Sequence, residues 1–239
     1  MPHSLFTIKE VAAYLHVSQD NLALLVKRNE IPHKIQGDRP MFRRSEIDAW
    51  ASQRILNLPE QRLTDYHSRS SSGLQDIGQG EPLMPRLFTV ARIDPHLTSR
   101  TKASTIQDLV RLAEKTDLVS DPRELLQMID EREKLCSTAL AGGLALLHPR
   151  HHDPYMFAES FIVLGRTIQS IHFGSADGTP SDLFFLVCCQ DDRFHLHALA
   201  RLCTMCMQTG LLAALRDTDS AEAMLASLCA AEEEIIRRL

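Results

Sequence analysis

The stretch Leu183-Phe184-Phe185-Leu186-Val187-Cys188-Cys189 is an unbroken run of apolar residues. A strand with one solvated face alternates apolar and polar residues, so this run predicts a strand that is buried on both faces, in the middle of a sheet. Two shorter apolar runs, Leu144 to Leu147 and Phe161 to Leu164, precede it and predict two further strands. The three runs together predict a sheet in the carboxyl-terminal half of the chain.

Helical patterns lie on both sides of these strands along the chain. Ser104 and Asp121 are capping residues in front of stretches whose apolar positions follow helical spacing. After the strands, a helical pattern resumes at about His195 and continues to the end, with a further cap at Asp219-Ser220. Strands between helices predict the α/β class, as a helix–sheet–helix sandwich.

Length and composition divide the chain. Its 239 residues suffice for two domains, and 44% hydrophobic residues suffice for packed cores. Residues 57–85 are rich in serine, glycine and proline, which predicts a flexible linker between a domain at residues 1–56 and an α/β domain at residues 86–239. Since no apolar run approaches about eighteen residues and the amino terminus lacks the features of a secretory signal, we expect a cytoplasmic protein without membrane insertion.

The first fifty-odd residues have the layout of a winged helix-turn-helix. Thr7-Ile8-Lys9-Glu10 is a capping box that opens a first helix, and Ser18 caps a second. Two short extended pieces, His33 to Gln36 and Met41 to Arg43, flank a turn, and Ser45-Glu46-Ile47-Asp48 caps a third helix. In this layout the second helix enters the major groove of DNA.

A local basic patch supports DNA as the partner, although the net charge of −5 gives no global attraction to nucleic acid. Between residues 26 and 45, six cations outnumber two carboxylates. Amide side chains early on the second helix are able to pair with an adenine edge. The predicted DNA-binding residues are Ser18, Gln19, Asn21, Lys27, Arg28, Arg39, Arg43 and Arg44. The alternative is a protein-binding helical module with a solvated basic face.

This unit resembles the excisionase and MerR-like family of small DNA-binding domains. The resemblance covers residues from about 5 to 55 and is carried by Phe6 to Leu15, Val17-Ser18, Ile31-Pro32, Gly37, and Phe42 to Trp50. It implies a winged helix-turn-helix that binds double-stranded DNA. A single small module makes few base contacts, so we also expect the protein to form a homo-oligomer.

A second group of residues suggests phosphoryl chemistry. The stretch from Arg132 to Thr138 is followed by His148 at the end of a predicted strand, and later by His195. A histidine accepts a phosphoryl group through one neutral ring nitrogen, and the dianionic product needs donors around it. Arg132 offers a fork of donors, Ser137 and Thr138 a hydroxyl each, and His195 the free N–H groups of a helix start. The alternative is a strand-end histidine without chemistry, in a cluster with His151 and His152.

Residues from about 86 to 236 resemble the EIIA domain of the bacterial phosphotransferase system, in its fructose, mannitol and nitrogen-regulatory branch. The matching motifs are Arg132-Glu133-Lys134 with Ser137-Thr138, the strand ending at His148, Phe173-Gly174 with Asp177-Gly178 and Pro180, Asp182 to Leu186, and His195-Leu196. The resemblance implies a mixed sheet covered by helices and a phosphoryl group taken from a histidine phosphocarrier. It places the phosphorylated histidine at His148, a second active-site histidine at His195, and the nearby arginine at Arg132.

This chain departs from the family at several loop positions. Where the family usually has glycine, it has Cys136, Ala139 and Ala141, and its Leu147-His148-Pro149 replaces a proline–histidine–glycine sequence. If those glycines served positive φ angles, their replacement would strain the loop. Pro149 also removes a backbone N–H directly after the histidine.

The cysteines predict neither a disulfide framework nor a cofactor. All six lie in apolar runs, which suits reduced, buried thiols. Cys203 and Cys206 form a C-x-x-C with His195 and His197 upstream, so a zinc site is one interpretation, but their spacing also fits the buried face of a helix. We predict no bound metal or cofactor.

These interpretations combine into one functional hypothesis. The chain is predicted to be a transcription regulator whose EIIA-like domain is phosphorylated on His148 and so signals the state of the phosphotransferase system, as nitrogen-regulatory members do. One alternative is an EIIA component that passes phosphate onward to a sugar permease. Another is a degenerate domain that senses a partner without being phosphorylated.

Overall fold

The computed structural model describes residues 5–15, 17–56, 58, 62–63, 66, 81–149 and 155–238. His151 and His152, the proposed neighbours of His148, lie outside the described residues, as does most of the predicted linker. Among the described residues, no helix combines the length and the hydrophobicity that crossing a membrane requires.

Within its described residues, the amino-terminal unit has three helices and a small sheet. Its elements are β1 (Leu5–Thr7), α1 (Ile8–Tyr14), α2 (Gln19–Lys27), β2 (Lys34–Gln36), β3 (Arg39–Arg43) and α3 (Arg44–Leu56). The strands pair antiparallel in the order β1-β3-β2. The predicted capping box is present, since the Thr7 hydroxyl accepts from Glu10 N and Thr7 N donates to the Glu10 carboxylate. Helix α3 begins one residue before the predicted cap at Ser45.

The second unit is a five-stranded sheet with helices on both faces. Its elements are α4 (Met84–Leu87), a 3-10 turn (Val90–Arg92), β4 (Ile93–Leu97), α5 (Lys102–Glu114), α6 (Pro122–Leu135), β5 (Ala139–Leu140), β6 (Leu144–Leu147), β7 (Phe161–Ile171), β8 (Ser181–Cys188), α7 (Asp192–Gln208), α8 (Leu211–Arg216) and α9 (Ala221–Ile236). The strand order is β4-β7-β8-β6-β5. The sheet is mixed, because β8 runs parallel to β6 and antiparallel to β7. The predicted α/β class and the central position of β8 are confirmed.

Alternation along the strands builds two cores. Leu144 and Leu146 of β6 face a layer formed by α4, α7, α8 and α9, while Ala145 and Leu147 face α5 and α6. Because both faces of β6 and β8 are covered, these strands need apolar residues at every position. This explains the continuous apolar runs in the sequence.

Three predicted boundaries are corrected. Helix α5 is capped by Thr101 rather than Ser104, because the two residues form a reciprocal capping box in which Ser104 is the third helical residue. Helix α7 is capped by Asp191, so His195 N donates to Asp191 O and offers no free N–H to an anion. At the end of the predicted linker, Leu83 and Met84 are buried in the core of the second unit rather than solvated.

The two units are in contact with each other. Helix α3 of the first unit packs against α7 of the second, and the apolar core of the first is continuous with the α7 face of the second. The amino-terminal end of α7, where His195 lies, is therefore next to α3.

Candidate functional site

His148 directly follows β6, at the carboxyl end of that strand. Its side chain is 2% exposed, with Nδ1 at 2.9 Å from Leu146 O and Nε2 at 3.1 Å from Arg132 Nε. Since Nε of an arginine always carries hydrogen, Nε2 of His148 is the acceptor. The hydrogen of the neutral ring is then on Nδ1, which donates to the Leu146 carbonyl, and Nε2 keeps a lone pair.

Arg132 brings an unsatisfied donor to this histidine. The side chain projects from α6, is 3% exposed, and donates from Nη1 to Cys136 O at 2.9 Å. Its Nη2 is buried and has no hydrogen-bond partner among the described residues. Burial lowers the pKa of Arg132, while Glu133 acts in the opposite direction. A buried guanidinium with a spare N–H beside a nucleophilic nitrogen is suited to hold an oxyanion.

His195 lies beside His148, as the sequence-based hypothesis requires. The two ring centroids are 4.9 Å apart, and His195 is 1% exposed. Its Nε2 is 3.4 Å from the hydroxyl of Ser52, which belongs to α3 of the amino-terminal unit. Arg132, His148 and His195 therefore form one cluster, bounded on one side by Ser52.

The two predicted hydroxyl donors are used elsewhere. Thr138 Oγ1 donates to the Glu133 carboxylate at 2.7 Å, which also accepts from Thr138 N, and Ser137 Oγ donates to Phe173 O at 3.1 Å. Lys102 Nζ is 2.8 Å from the same Glu133 carboxylate. Ser137 and Thr138 thus fix the loop after α6 and do not point a free hydroxyl toward His148. The sequence-based assignment missed Glu133 as the anchor of this loop.

The replaced family glycines do not strain the backbone. Among the described residues, Asn29 and Asp117 are the non-glycine residues with positive φ, so Cys136, Ala139 and Ala141 have ordinary backbone conformations. The turn into β6 is made instead by Gly142 and Gly143, with φ of 89° and 79°.

The predicted DNA-binding side chains are mostly available on the surface of the first unit. Gln19 and Asn21 are exposed on the first turn of α2, and the Ser18 hydroxyl caps that helix. Four of the predicted cations are exposed: Lys27, Arg28, Arg39 and Arg43. Arg44 differs, because its guanidinium forms an ion pair with Asp192 of α7, with Nε donating to Oδ2 at 3.0 Å.

The cysteines are buried or partly buried free thiols. Cys203 and Cys206 lie on the buried part of α7. Burial raises the pKa of Cys206 to about 12, which disfavours its thiolate form. No cluster of three metal-ligating side chains occurs within the described ranges.

Comparison with known families finds one match in each of the two units. The family model described as "Phosphoenolpyruvate-dependent sugar phosphotransferase system, EIIA 2" matches residues 86–230, and one described as "Helix-turn-helix domain" matches residues 5–55. The prediction of a helix-turn-helix domain in front of an EIIA domain is confirmed.

Individual relatives match the second unit. The "Nitrogen regulatory protein" of Bradyrhizobium diazoefficiens is 30% identical over 137 residues, which cover 56% of this chain and 86% of that protein. The "PTS system fructose-specific EIIABC component" of Bacillus subtilis is 27% identical over 141 residues, which cover 58% of this chain. This chain spans about a fifth of the length of that relative, since the match covers 22% of it.

Solved structures show the same fold. The nitrogen regulatory protein IIA-Ntr from Neisseria meningitidis superposes with a TM-score of 0.56 at 25% identity, covering 62% of this chain and 99% of that one. The IIA mannitol structure from Escherichia coli superposes with a TM-score of 0.52 at 20% identity, covering 59% and 98%.

Proposed function

Because this chain belongs to the EIIA 2 family of the phosphoenolpyruvate-dependent sugar phosphotransferase system, we propose that its EIIA domain accepts a phosphoryl group on Nε2 of His148 from a histidine phosphocarrier. We further propose that the helix-turn-helix domain in front of it carries this phosphorylation state to double-stranded DNA. The protein would then be a cytoplasmic transcription regulator rather than a transport component.

One observation carries the phosphoryl-acceptor role. Arg132 donates to Nε2 of His148 at 3.1 Å, and the Leu146 carbonyl holds the N–H on Nδ1. This arrangement fixes the tautomer in which Nε2 is the nucleophile. The neighbouring ring of His195 extends the polar surface around that nitrogen.

The residues present account for each part of the transfer. The lone pair of His148 Nε2 forms a bond to the phosphorus of the carrier's phosphohistidine, and the carrier nitrogen leaves with the electron pair of the broken P–N bond. The product adds about two negative charges at Nε2. Arg132 Nε, which gives up its bond to Nε2, and Nη2, which has no partner among the described residues, are then available to the phosphoryl oxygens. Pro149 provides no backbone donor, so the arginine carries more of this stabilisation.

The DNA-binding role has separate support. Exposed amides on α2 and exposed cations on α2 and the β2–β3 hairpin lie on the elements that a winged helix-turn-helix presents to DNA. Because one module of this size makes few base contacts, the proposal includes a homo-oligomer as the DNA-bound form. The name of the Bradyrhizobium relative suggests nitrogen regulation as the process.

The phosphoryl-acceptor role is tested by intact mass after incubation with a phosphorylated histidine phosphocarrier. We expect one phosphoryl group on the wild-type chain and on His172→Ala, an exposed histidine used as the matched control, and none on His148→Ala. A wild-type chain without an adduct contradicts the proposal and favours a partner-binding domain. An adduct that can be chased to a sugar permease favours the transport role.

A further inference from the structure

The contact between the two units lies on the phosphoryl-acceptor face. Arg44 at the start of α3 pairs with Asp192 in the first turn of α7, and Asp192 is almost fully buried by this contact and its surroundings. Further along α3, the Ser52 hydroxyl is 3.4 Å from Nε2 of His195. Helix α3 therefore contacts α7 both at its first turn and at the active-site histidine.

In this arrangement the proposed nucleophile is almost completely buried. His148 and His195 are 2% and 1% exposed, and their rings are adjacent. In phosphoryl transfer the attacking and leaving atoms lie roughly in line on opposite sides of the phosphorus. A carrier histidine must therefore approach Nε2 of His148 over open surface, and the docked arrangement leaves almost none at these two rings.

We infer that the helix-turn-helix domain docks on the phosphoryl-acceptor face of its own EIIA domain, so that docking and phosphorylation exclude each other. The inference rests on the proposed function, because it concerns the regulation of the same site. The continuous apolar core across the contact favours the docked state at rest. Binding of the carrier has to displace that domain.

Undocking also changes the DNA-binding surface. In the docked state the charge of Arg44 is neutralised by Asp192, so this cation is withheld from a phosphate backbone. After phosphorylation, the dianion at His148 lies close to His195, on the helix turn that also carries Asp192, so it competes with α3 for the surface beside His195. Since coupling is reciprocal, a state that favours phosphorylation also favours release of Arg44.

The test weakens the contact in the full chain. Arg44→Ala removes the ion pair, and Ser52→Trp places a bulky side chain against His195 without changing any residue of the EIIA domain. Lys9→Ala, an exposed cation on α1, is the control for loss of charge from the same domain. Two measurements follow: mass-mapped labelling of His148 and His195 by diethylpyrocarbonate, and the initial rate of phosphorylation by the phosphorylated carrier. Thermal unfolding verifies that each variant is folded.

We expect both contact variants to be labelled and phosphorylated about tenfold faster than wild type and Lys9→Ala, as for a typical coupling between two sites. Equal labelling of all four proteins, or equal phosphorylation rates, overturns the inference. Faster labelling of the contact variants without any phosphoryl adduct overturns the proposed function and leaves the docking contact supported.

Discussion

Arg132 Nε donates to His148 Nε2 at 3.1 Å, from a side chain that is buried at the end of α6. The contact joins residues that the sequence places on either side of the loop after α6, and it makes Nε2 the nitrogen that keeps its lone pair. The same guanidinium holds the loop through Cys136 O and leaves Nη2 unpartnered by any described residue. One side chain thus orients the proposed nucleophile and offers donors to the phosphoryl group that His148 is proposed to receive.

Replacing this arginine is expected to slow phosphorylation strongly. Arg132→Gln removes the charge and the donor fork, and loss of one preorganised donor in a reacting site typically lowers a rate by about 10²–10³-fold. The measurement is the initial rate of phosphoryl-adduct formation on His148. Arg123→Gln, at an exposed position of the same helix, is the control and is expected to react like wild type. If the rate for Arg132→Gln is within threefold of wild type, the activation free energy differs by no more than roughly 0.7 kcal/mol, which contradicts a role of Arg132 in stabilising the transferred phosphoryl group.

The exposed cations of the hairpin are expected to bind phosphates of DNA. Arg39 begins β3 and is exposed, and Arg39→Ala should reduce the slope of log Kd against log salt by about 1, the value for one lost phosphate contact. Fluorescence anisotropy with a duplex at several salt concentrations measures this slope. Lys9→Ala should leave it unchanged. An unchanged slope for Arg39→Ala places the DNA away from the hairpin.

The elements that carry the candidate site could be predicted from the sequence, because their signals are local, whereas the placement of His148 beside His195 was expected only from the family resemblance. His148 follows an apolar run that forms β6, and Arg132 lies in the last turn of a helix that is capped by Asp121. The roles of Ser137 and Thr138 could not be predicted, because a hydroxyl takes whichever partner the loop brings near. Here Glu133 occupies the position from which it binds Thr138.

The contact between the units left no signal in the sequence. Ser52 and His195 are 143 residues apart, and Arg44 and Asp192 are 148 apart. Periodicity indicates that a helix has an apolar face, and it does not indicate which other element covers that face.

Strand β4 was not predicted, and the reason is local. It contains Pro95 and lies at the edge of the sheet, where a proline is tolerated.

Alanine substitutions at three glycines distinguish two causes of destabilisation: a positive φ angle and a steric clash of the added Cβ. Gly143 has φ of 79°, and a Cβ there would lie 2.7 Å from Arg216 Nη2 and 3.2 Å from Pro180 O. Gly178 has φ of 73° with no atom within 4 Å of such a Cβ, and Gly210 has neither a positive φ nor a neighbour within that distance. We expect alanine to cost about 1 kcal/mol of unfolding free energy at Gly178, about 2–3 kcal/mol at Gly143 and nothing at Gly210.

Urea unfolding of the three variants measures this order. Because Gly143 leads into β6, its replacement is also expected to lower the phosphorylation rate of His148, whereas alanine at Gly178 should not. Equal destabilisation at Gly143 and Gly178 shows that Arg216 moves aside and that strain alone acts.

Glu232 is expected to hold the start of the second unit in place. This fully buried carboxylate pairs with Arg201 at 2.9 Å and accepts from Leu83 N and Met84 N at 2.8 and 2.7 Å. Burial raises the pKa of Glu232 and lowers that of Arg201, so each charge depends on the other. Removing one partner of a buried pair typically costs about 3–5 kcal/mol, and Glu232→Ala should lose that much unfolding free energy.

The matched variants are Glu233→Ala, at an exposed neighbour, and Glu232→Gln, which keeps an acceptor for the backbone but not the charge. Glu233→Ala should change the unfolding free energy by less than about 0.5 kcal/mol. Glu232→Gln should lose more unfolding free energy than Glu233→Ala and less than Glu232→Ala. Urea midpoints with unchanged m-values give these differences. If Glu232→Gln is as stable as wild type, the negative charge of Glu232 contributes nothing to stability here and the proposed role of the pair with Arg201 is wrong.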